Sequence, residues 1–272
     1  MLIKNLELAI IAGKGDLVSS CIEECKKRKI STLLIAITGF YDDKKNKPDI
    51  SISLNKIGNI FSILKKYKVK KILFIGAIQK PQIYNLRPDF LTIYYITLII
   101  LNYFKGDNNL LTKIYNIFIN KGFTVLDIRK LLKQNIADNI RNNLNLFNDK
   151  INLQQISYYF SLAKAYGIED KGQAILVSNN KVILKENKKG TDDLINRYKL
   201  LKKKYEFTLL VKTSKPNQNL YLDLPTIGPN TIIAMKTVGI NGVILEKNKS
   251  LIAKPNETFN LIKEHNLFYY AV

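Results

Sequence analysis

Four apolar runs of strand length recur in the first half of the chain with helix-period segments between them, and this alternation restricts the fold more than any other feature. The runs are LELAIIA at 6–12, TLLIAIT at 32–38, KILFIGA at 71–77 and TVLDI at 124–128; helical spacing occupies residues near 16–28, 57–67, 91–104 and 108–121. Nearly continuous apolar strands are buried on both faces, so the pattern predicts a Rossmann-like, doubly wound α/β domain with a mainly parallel sheet. Gly13-Lys14-Gly15 falls at the first strand-to-helix turn, where such folds seat phosphates. A third glycine is missing and the nearest acidic pair, Asp42 and Asp43, lies past the end of the second strand. A dinucleotide fingerprint is therefore not supported, and a tight turn explains the two glycines as well as a ligand does.

The polar, asparagine-rich segment from 134 to 149 marks a domain boundary at its start, giving domains 1–133 and 134–272. The second half predicts a helix near 153–165 and a hairpin of 173–179 with 181–187, turning at Asn179-Asn180 because asparagine tolerates positive φ. Helices near 191–204, 229–238 and 256–265 alternate with strands at 207–213, 219–224, 242–246 and 250–253, an α/β domain with a mixed sheet.

Residue counts remove whole classes of chemistry. Two cysteines four residues apart and a single histidine, His265, leave neither a zinc set nor a Ser-His-Asp triad. Any metal is held by oxygen ligands, which favours magnesium. The formal net charge of +21 would suit nucleic acid or an anionic membrane surface. The excess is nearly all lysine, and Lys, Ile, Asn and Tyr are abundant together, as an AT-rich genome produces. Basicity thus reads equally as compositional drift and as selection. The uncharged stretch FLTIYYITLIILNYF at 90–104 is 15 residues long, short of the about 20 that span a bilayer. It reads as a helix packed on a sheet or as one meeting a membrane interface. A targeting segment is not expected, since the apolar run at 6–12 is too short for a signal core.

The segment KTSKPNQNLYLDLPTIGP at 212–229 holds the densest set of candidate site residues. FTLLV at 207–211 predicts a buried strand from whose end Lys212 and Lys215 emerge. Asp223 sits between Leu222 and Leu224, so in an extended segment its carboxylate points away from the leucines. Gly228-Pro229 opens a helix, whose free amides and positive dipole end attract phosphate. Cations, a helix start and a carboxylate suit phosphoryl transfer or phosphodiester cleavage, although an ordinary solvated turn has the same composition. Thr191 before Asp192 and Asp193 likewise reads as a helix cap or as chemistry.

Seven blocks in order carry a more specific signal: IAGKGDLV at 11–18, IGAIQKP at 75–81, GDNNLLTKI at 106–114, DKGQAILV at 170–177, KGTDDLINR at 189–197, the K-x-x-K-P-x-Q at 212–218 and LDLPTIGPNT at 222–231. Together they resemble the two-domain, magnesium-dependent UDP-2,3-diacylglucosamine pyrophosphatase family of lipid A biosynthesis, rather than the calcineurin-like enzymes of the same step. The resemblance runs over nearly the whole chain. Asn108, Lys189, Asn219 and Tyr221 depart from its usual pattern, each removing a carboxylate or a guanidinium.

The resemblance implies water attack on the α-phosphorus of UDP-2,3-diacylglucosamine, giving UMP and 2,3-diacylglucosamine 1-phosphate. It implies Asp223, Asp192 and Thr191 as catalytic residues, with Asp223 and Asp192 as ligands of Mg2+. Gly13, Gly15, Lys80, Gln173, Lys212, Lys215, Gln218, Thr226 and Gly228 become the substrate contacts, in a cleft between the domains. The implied partner is an amphiphilic UDP-sugar lipid, met by a cytoplasmic protein held peripherally at the inner membrane, with a homodimer also envisaged. Two rival readings stand beside it: a catalytically degenerate binding protein for nucleotide sugars or lipid phosphates, and a basic nucleic-acid-binding protein. Nucleic acid is not expected, because the aromatics lie dispersed in apolar runs without an RNP-like motif.

Overall fold

The computed structural model describes residues 6–42, 46–77, 87–103, 110–169, 171–201, 205–216 and 218–272, with backbone alone at 98–103. The chain divides into two compact units, Met1–Lys133 with Asn219–Asp223, and Gln134–Gln218 with Leu224–Val272.

In the first unit five parallel strands take the order β3-β2-β1-β4-β5, with β1 at Leu8–Ala12, β2 at Thr32–Ile37, β3 at Ile50–Ile52, β4 at Lys71–Ile75 and β5 at Thr124–Val125. This is the doubly wound order. Helices α1 (Asp16–Lys27), α2 (Ile60–Lys66), α3 (Phe90–Tyr103), α4 (Leu110–Asn120) and α5 (Ile128–Leu131) fill the connections. Residues of alternate parity along β1 and β2 are all buried: Ala9, Ile11, Leu33 and Ile35 join Phe61, Leu64 and Phe118 of the helices in one cluster, while Leu8, Ile10, Leu34 and Ala36 on the opposite face are also closed to solvent. Burial on both faces is why these strands read as unbroken apolar runs.

The second unit holds a mixed sheet in the order β12-β10-β8-β6-β7. Its strands are β6 (Ala174–Ser178), β7 (Lys181–Lys185), β8 (Leu209–Lys212), β10 (Gly242–Leu245) and β12 (Phe268–Ala271). β8, β10 and β12 run parallel, and β6 and β7 are antiparallel additions. A separate parallel pair joins β9 (Thr226–Ile227) to β11 (Leu251–Ile252). Helix α6 (Leu153–Ile168) covers one face, where Ile156, Tyr159 and Ala163 meet Ile175, Val211 and Phe268. Helices α7 (Thr191–Lys199), α8 (Pro229–Val238) and α9 (Pro255–Glu264) cover the other, where Leu194, Ile232 and Ile262 share a cluster with Leu176, Leu210 and Val243. A capping box of Asn152 and Gln155 opens α6, and the β6–β7 hairpin turns at Asn179 and Asn180 with φ of 48° and 57°.

Three sequence expectations change. Residues 219–224 do not form a strand: Asn219 accepts from the amides of Leu222 and Asp223 through its carbonyl, and from that of Tyr221 through its side chain, closing a turn. Strand β12 and the short β3 come in addition. The asparagine-rich segment also has a structural task. Asn142 and Asn143 accept hydrogen bonds of 2.8 Å from the Ala271 and Tyr269 amides, so side-chain amides cover the open edge of β12.

Close approach governs the pairing of β10 with β12. A Cβ on Gly242 would lie 2.3 Å from the Phe268 carbonyl oxygen, whereas Gly239, the left-handed residue ending α8 at φ 82°, has nothing within 4 Å. Gly242→Ala is expected to lower stability in chemical denaturation by about 3 kcal/mol, because backbone and not a side-chain tip must yield. Gly239→Ala, which costs only the strained φ, is expected to lose about 1 kcal/mol.

Candidate active site

Strand β8 ends at Lys212, paired with Leu245 of parallel β10 on one side and Ala174 of antiparallel β6 on the other. Open α/β sheets bind ligands outside the carboxyl ends of their strands. Two buried carboxylates organise this end of the sheet, and neither stands out in the sequence.

Glu246, the residue after β10, is 5% exposed. Its Oε2 accepts from the Ser214 amide, the Ser214 hydroxyl and Lys164 Nζ of α6, each at 2.7 Å, and its Oε1 pairs with Lys249 Nζ at 3.0 Å. Lys164 also donates to the Ser214 carbonyl at 3.1 Å. Burial pushes the Glu246 carboxyl up, but these donors outweigh it and hold the group below the usual glutamate range.

Glu186, the residue after β7, is 6% exposed. Its Oε2 accepts from the Gln173 amide at 2.7 Å and its Oε1 from the Thr191 hydroxyl at 2.7 Å, while its carbonyl accepts from Tyr166. Thr191 is therefore not the cap of α7. That position belongs to Gly190 at φ 88°, with no side-chain cap, so Thr191 occupies the first helical turn with its hydroxyl committed to Glu186. Asp192 is exposed in the same turn. Asp193 is paired with Arg197 at 2.7 Å and Asn187 at 3.0 Å.

Hydrogen bonds connect these groups into one lattice. Thr213 donates its amide to the Gln173 carbonyl at 2.9 Å. The Thr213 hydroxyl, on a residue with no exposed surface, and Gln173 Oε1 are buried oxygens without a hydrogen-bond partner among the described residues. Two uncommitted buried oxygens on residues joined by a backbone hydrogen bond are rare in a finished core and suit a bound polar ligand. Lys212 is not the solvated lysine its position suggests. It is 6% exposed and donates from Nζ to the Thr226 carbonyl at 2.8 Å, tying the end of β8 to β9. Lys215, half buried, and Gln218 share a turn: the Lys215 amide donates to Gln218 Oε1 at 2.9 Å and the Gln218 amide to the Lys215 carbonyl at 3.1 Å. Gly228 precedes Pro229 at the uncapped start of α8, and a Cβ there would meet that of Ala253 at 3.1 Å.

The structure thus links Gln173 with Thr191 through Glu186, and Lys212 with Thr226 by a separate hydrogen bond, with Lys215, Gln218 and Gly228 on the adjoining turns. It adds Glu186, Glu246, Lys164, Thr213 and Ser214. Their sequence signal is faint but present: VILKE and VILE each end an apolar strand in glutamate. Asp223 belongs to the first unit, half buried at the end of the Asn219 turn, where Leu222 packs on the core and Tyr221 lies 5.3 Å from the Tyr115 ring. Gly13 and Gly15 also lie in the first unit. Gly13 donates its amide to Ile75 at 2.9 Å, and Gly15 starts α1 at φ 139°. Lys80 and Asn108 lie outside the described residues.

No group of three or more His, Cys, Asp or Glu able to hold a metal ion exists among the described residues. Magnesium keeps several waters and needs only one or two carboxylates beside substrate phosphates, a demand that an exposed carboxylate such as Asp192 can meet.

Residues 7–135 match the LpxI N-terminal domain and residues 145–270 the LpxI C-terminal domain. The UDP-2,3-diacylglucosamine pyrophosphatase LpxI of Caulobacter vibrioides is 24% identical over 274 residues, covering 98% of this chain and 97% of that protein.

Glu246 supports folding only while ionised. Glu246→Ala is expected to lower stability by about 3 kcal/mol at neutral pH, because Lys164 and the Ser214 amide lose their acceptor. A depressed folded pKa means that this contribution is complete above the ordinary value of 4.5 and fades as pH falls through the folded value. Urea denaturation at about pH 7 and about pH 3 should therefore show the gap between wild type and variant shrinking in acid.

Proposed function

The chain belongs to the LpxI family, and from that premise we propose that it hydrolyses UDP-2,3-diacylglucosamine to UMP and 2,3-diacylglucosamine 1-phosphate in lipid A biosynthesis. The observation that carries the proposal is the match of both family domains, in order, together with a relative of that activity spanning 98% of the chain. The hydrogen-bonded lattice at the end of β8 supports it, because its cation, hydroxyls and uncapped helix starts suit a pyrophosphate.

In this reading a water attacks the α-phosphorus and the bond to the bridging oxygen breaks. The bridging oxygen leaves with the sugar phosphate, and the water oxygen stays in UMP. Asp223 is the indispensable carboxylate and orients the water or accepts its proton. Lys212 and Lys215 balance phosphate charge, the first already desolvated and so stronger in its field. Thr191, held by Glu186, stands in the first turn of α7 with Asp192. The hydroxyl of Thr213 and Oε1 of Gln173 receive donors from the substrate or its waters. Gln218, Thr226 and Gly228, and also Gly13, Gly15 and Lys80, are taken as substrate contacts in this reading. Asp223 and Asp192 would hold Mg2+, which when bound neutralises charge on the pyrophosphate. The lipid substrate would be met at the inner membrane by peripheral contact.

Asp223→Ala is expected to lower kcat by about 10³-fold or more while leaving folding and substrate binding intact. Release of UMP by the wild type should cease with a chelator and return on adding Mg2+. Normal turnover by Asp223→Ala would remove this residue from catalysis, and chelator-resistant hydrolysis would remove the metal.

A further inference from the structure

Helix α3 of the first unit carries no charged residue anywhere in its 14 positions. Its inward face is identified by packing. Thr92 is fully buried and accepts from the Gly58 amide at 2.9 Å, at a crossing so close that a Cβ on Gly58 would lie 2.6 Å from the Leu91 carbonyl carbon. Tyr95 packs on Phe61 with ring centroids 4.8 Å apart. The opposite arc comprises positions 90, 93, 94 and 97, spaced as one helical stripe. There Phe90 is 84% exposed, Ile93 48% and Tyr94 51%, and Thr97 is exposed as well. A helix turning one face to water normally places charges on it. Here the water-facing stripe is aromatic and aliphatic at its first three positions.

The surroundings of that stripe are basic. The Asn55 side chain accepts from the Arg87 amide at 3.1 Å and the Asn55 carbonyl from the Asp89 amide at 2.9 Å, so exposed Arg87 and Lys56 are held at the start of α3. Lys121 Nζ lies 5.8 Å from the Tyr95 ring centre. Asp89, the acidic residue at this end, is engaged by the Thr92 amide at 2.8 Å and Asn59 Nδ2 at 2.7 Å. Among the described residues of 54–121 every exposed charged side chain is basic, eight in all, while Lys113 is buried. An apolar stripe within a basic surface is complementary to one partner in particular, a bilayer with anionic headgroups over an apolar interior. No helix among the described residues is long and apolar enough to cross a membrane.

We propose that the outer face of the first two turns of α3, with Phe90, Ile93 and Tyr94 inserted and Lys56 and Arg87 at headgroup level, docks the protein on an anionic phospholipid bilayer. The inference rests on the functional reading for its purpose, bringing the enzyme to a lipid-linked substrate, and names the surface that does so.

The test uses the full-length protein, vesicles of phosphatidylglycerol with phosphatidylcholine, and vesicles of phosphatidylcholine alone. Wild type should co-sediment with the anionic vesicles, weakly with the neutral ones, and less in about 0.5 M salt, where the Debye length is a few ångströms. The exposed triple variant Phe90→Ser/Ile93→Ser/Tyr94→Ser should bind anionic vesicles about tenfold or more weakly, with unchanged thermal unfolding and unchanged hydrolysis of substrate dispersed in detergent. The chain has no tryptophan, so Phe90→Trp adds a single reporter whose emission should shift to the blue on anionic vesicles. Wild-type vesicle binding by the triple variant, or an unshifted tryptophan, would overturn the proposal. Loss of detergent-phase hydrolysis in step with vesicle binding would overturn it in favour of an acyl-chain seat, and a changed oligomeric state in favour of a second copy of the chain. Intact, stripe-dependent vesicle binding by a protein that hydrolyses nothing would uphold the docking face and remove the functional reading alone.

Discussion

A carboxylate removed from water must be met by donors, and the second unit is built around two such groups. Glu246 gathers Ser214 and Lys164 at 2.7 Å with Lys249 at 3.0 Å, and Glu186 gathers Gln173 and Thr191 at 2.7 Å. Replacing any donor by an apolar group would leave charge unmatched in a medium where that is costly. The positions of residues 173, 191, 213 and 214 are thereby set by electrostatics as well as by chain connectivity. The two glutamates need not touch substrate to matter; they hold the groups proposed to do so within the small tolerance that catalysis demands.

The sheet beneath them is stiffened where it would otherwise be weak. Parallel strands β8 and β10 carry Lys212, Ser214 and Glu246 at their carboxyl ends, and β12 is the edge strand. Its outward amides are taken by Asn142 and Asn143, so the edge is closed by side chains and not left open to pairing with another chain. Lys212 adds a tie to the small β9–β11 pair, which leads directly into α8. The first unit holds Asp223, on a turn beside Leu222 of its core, and the exposed apolar stripe of α3.

Much of the fold was legible because strands buried on both faces leave a plain mark. The runs at 6–12, 32–38 and 71–77 became β1, β2 and β4, the hairpin turned at the two asparagines, and α8 formed at 229–238. Residues 219–224 misled because N-L-Y-L-D-L has the period of a strand, while a side chain that competes for local amides, Asn219, favours a turn. The asparagines of 134–149 read only as a domain boundary since composition does not say where an amide finds its partner. At the site, Lys212 was named from the end of an apolar strand, Thr191 from a helix start, and Gln173 from the resemblance alone. Glu186 and Glu246 escaped because a glutamate beside lysines at a strand end normally faces water, and burial there is decided by α6 and by loops distant in sequence.

The central claim is that the chain cleaves a pyrophosphate by water attack at the α-phosphorus. The direct measurement is magnesium-supplemented hydrolysis of UDP-2,3-diacylglucosamine in oxygen-18 water, with both products read by mass spectrometry. The account predicts one heavy oxygen in UMP and none in 2,3-diacylglucosamine 1-phosphate. Label in the sugar phosphate would place attack on the other phosphorus, and unchanged substrate with folded protein would contradict the assignment of a pyrophosphatase.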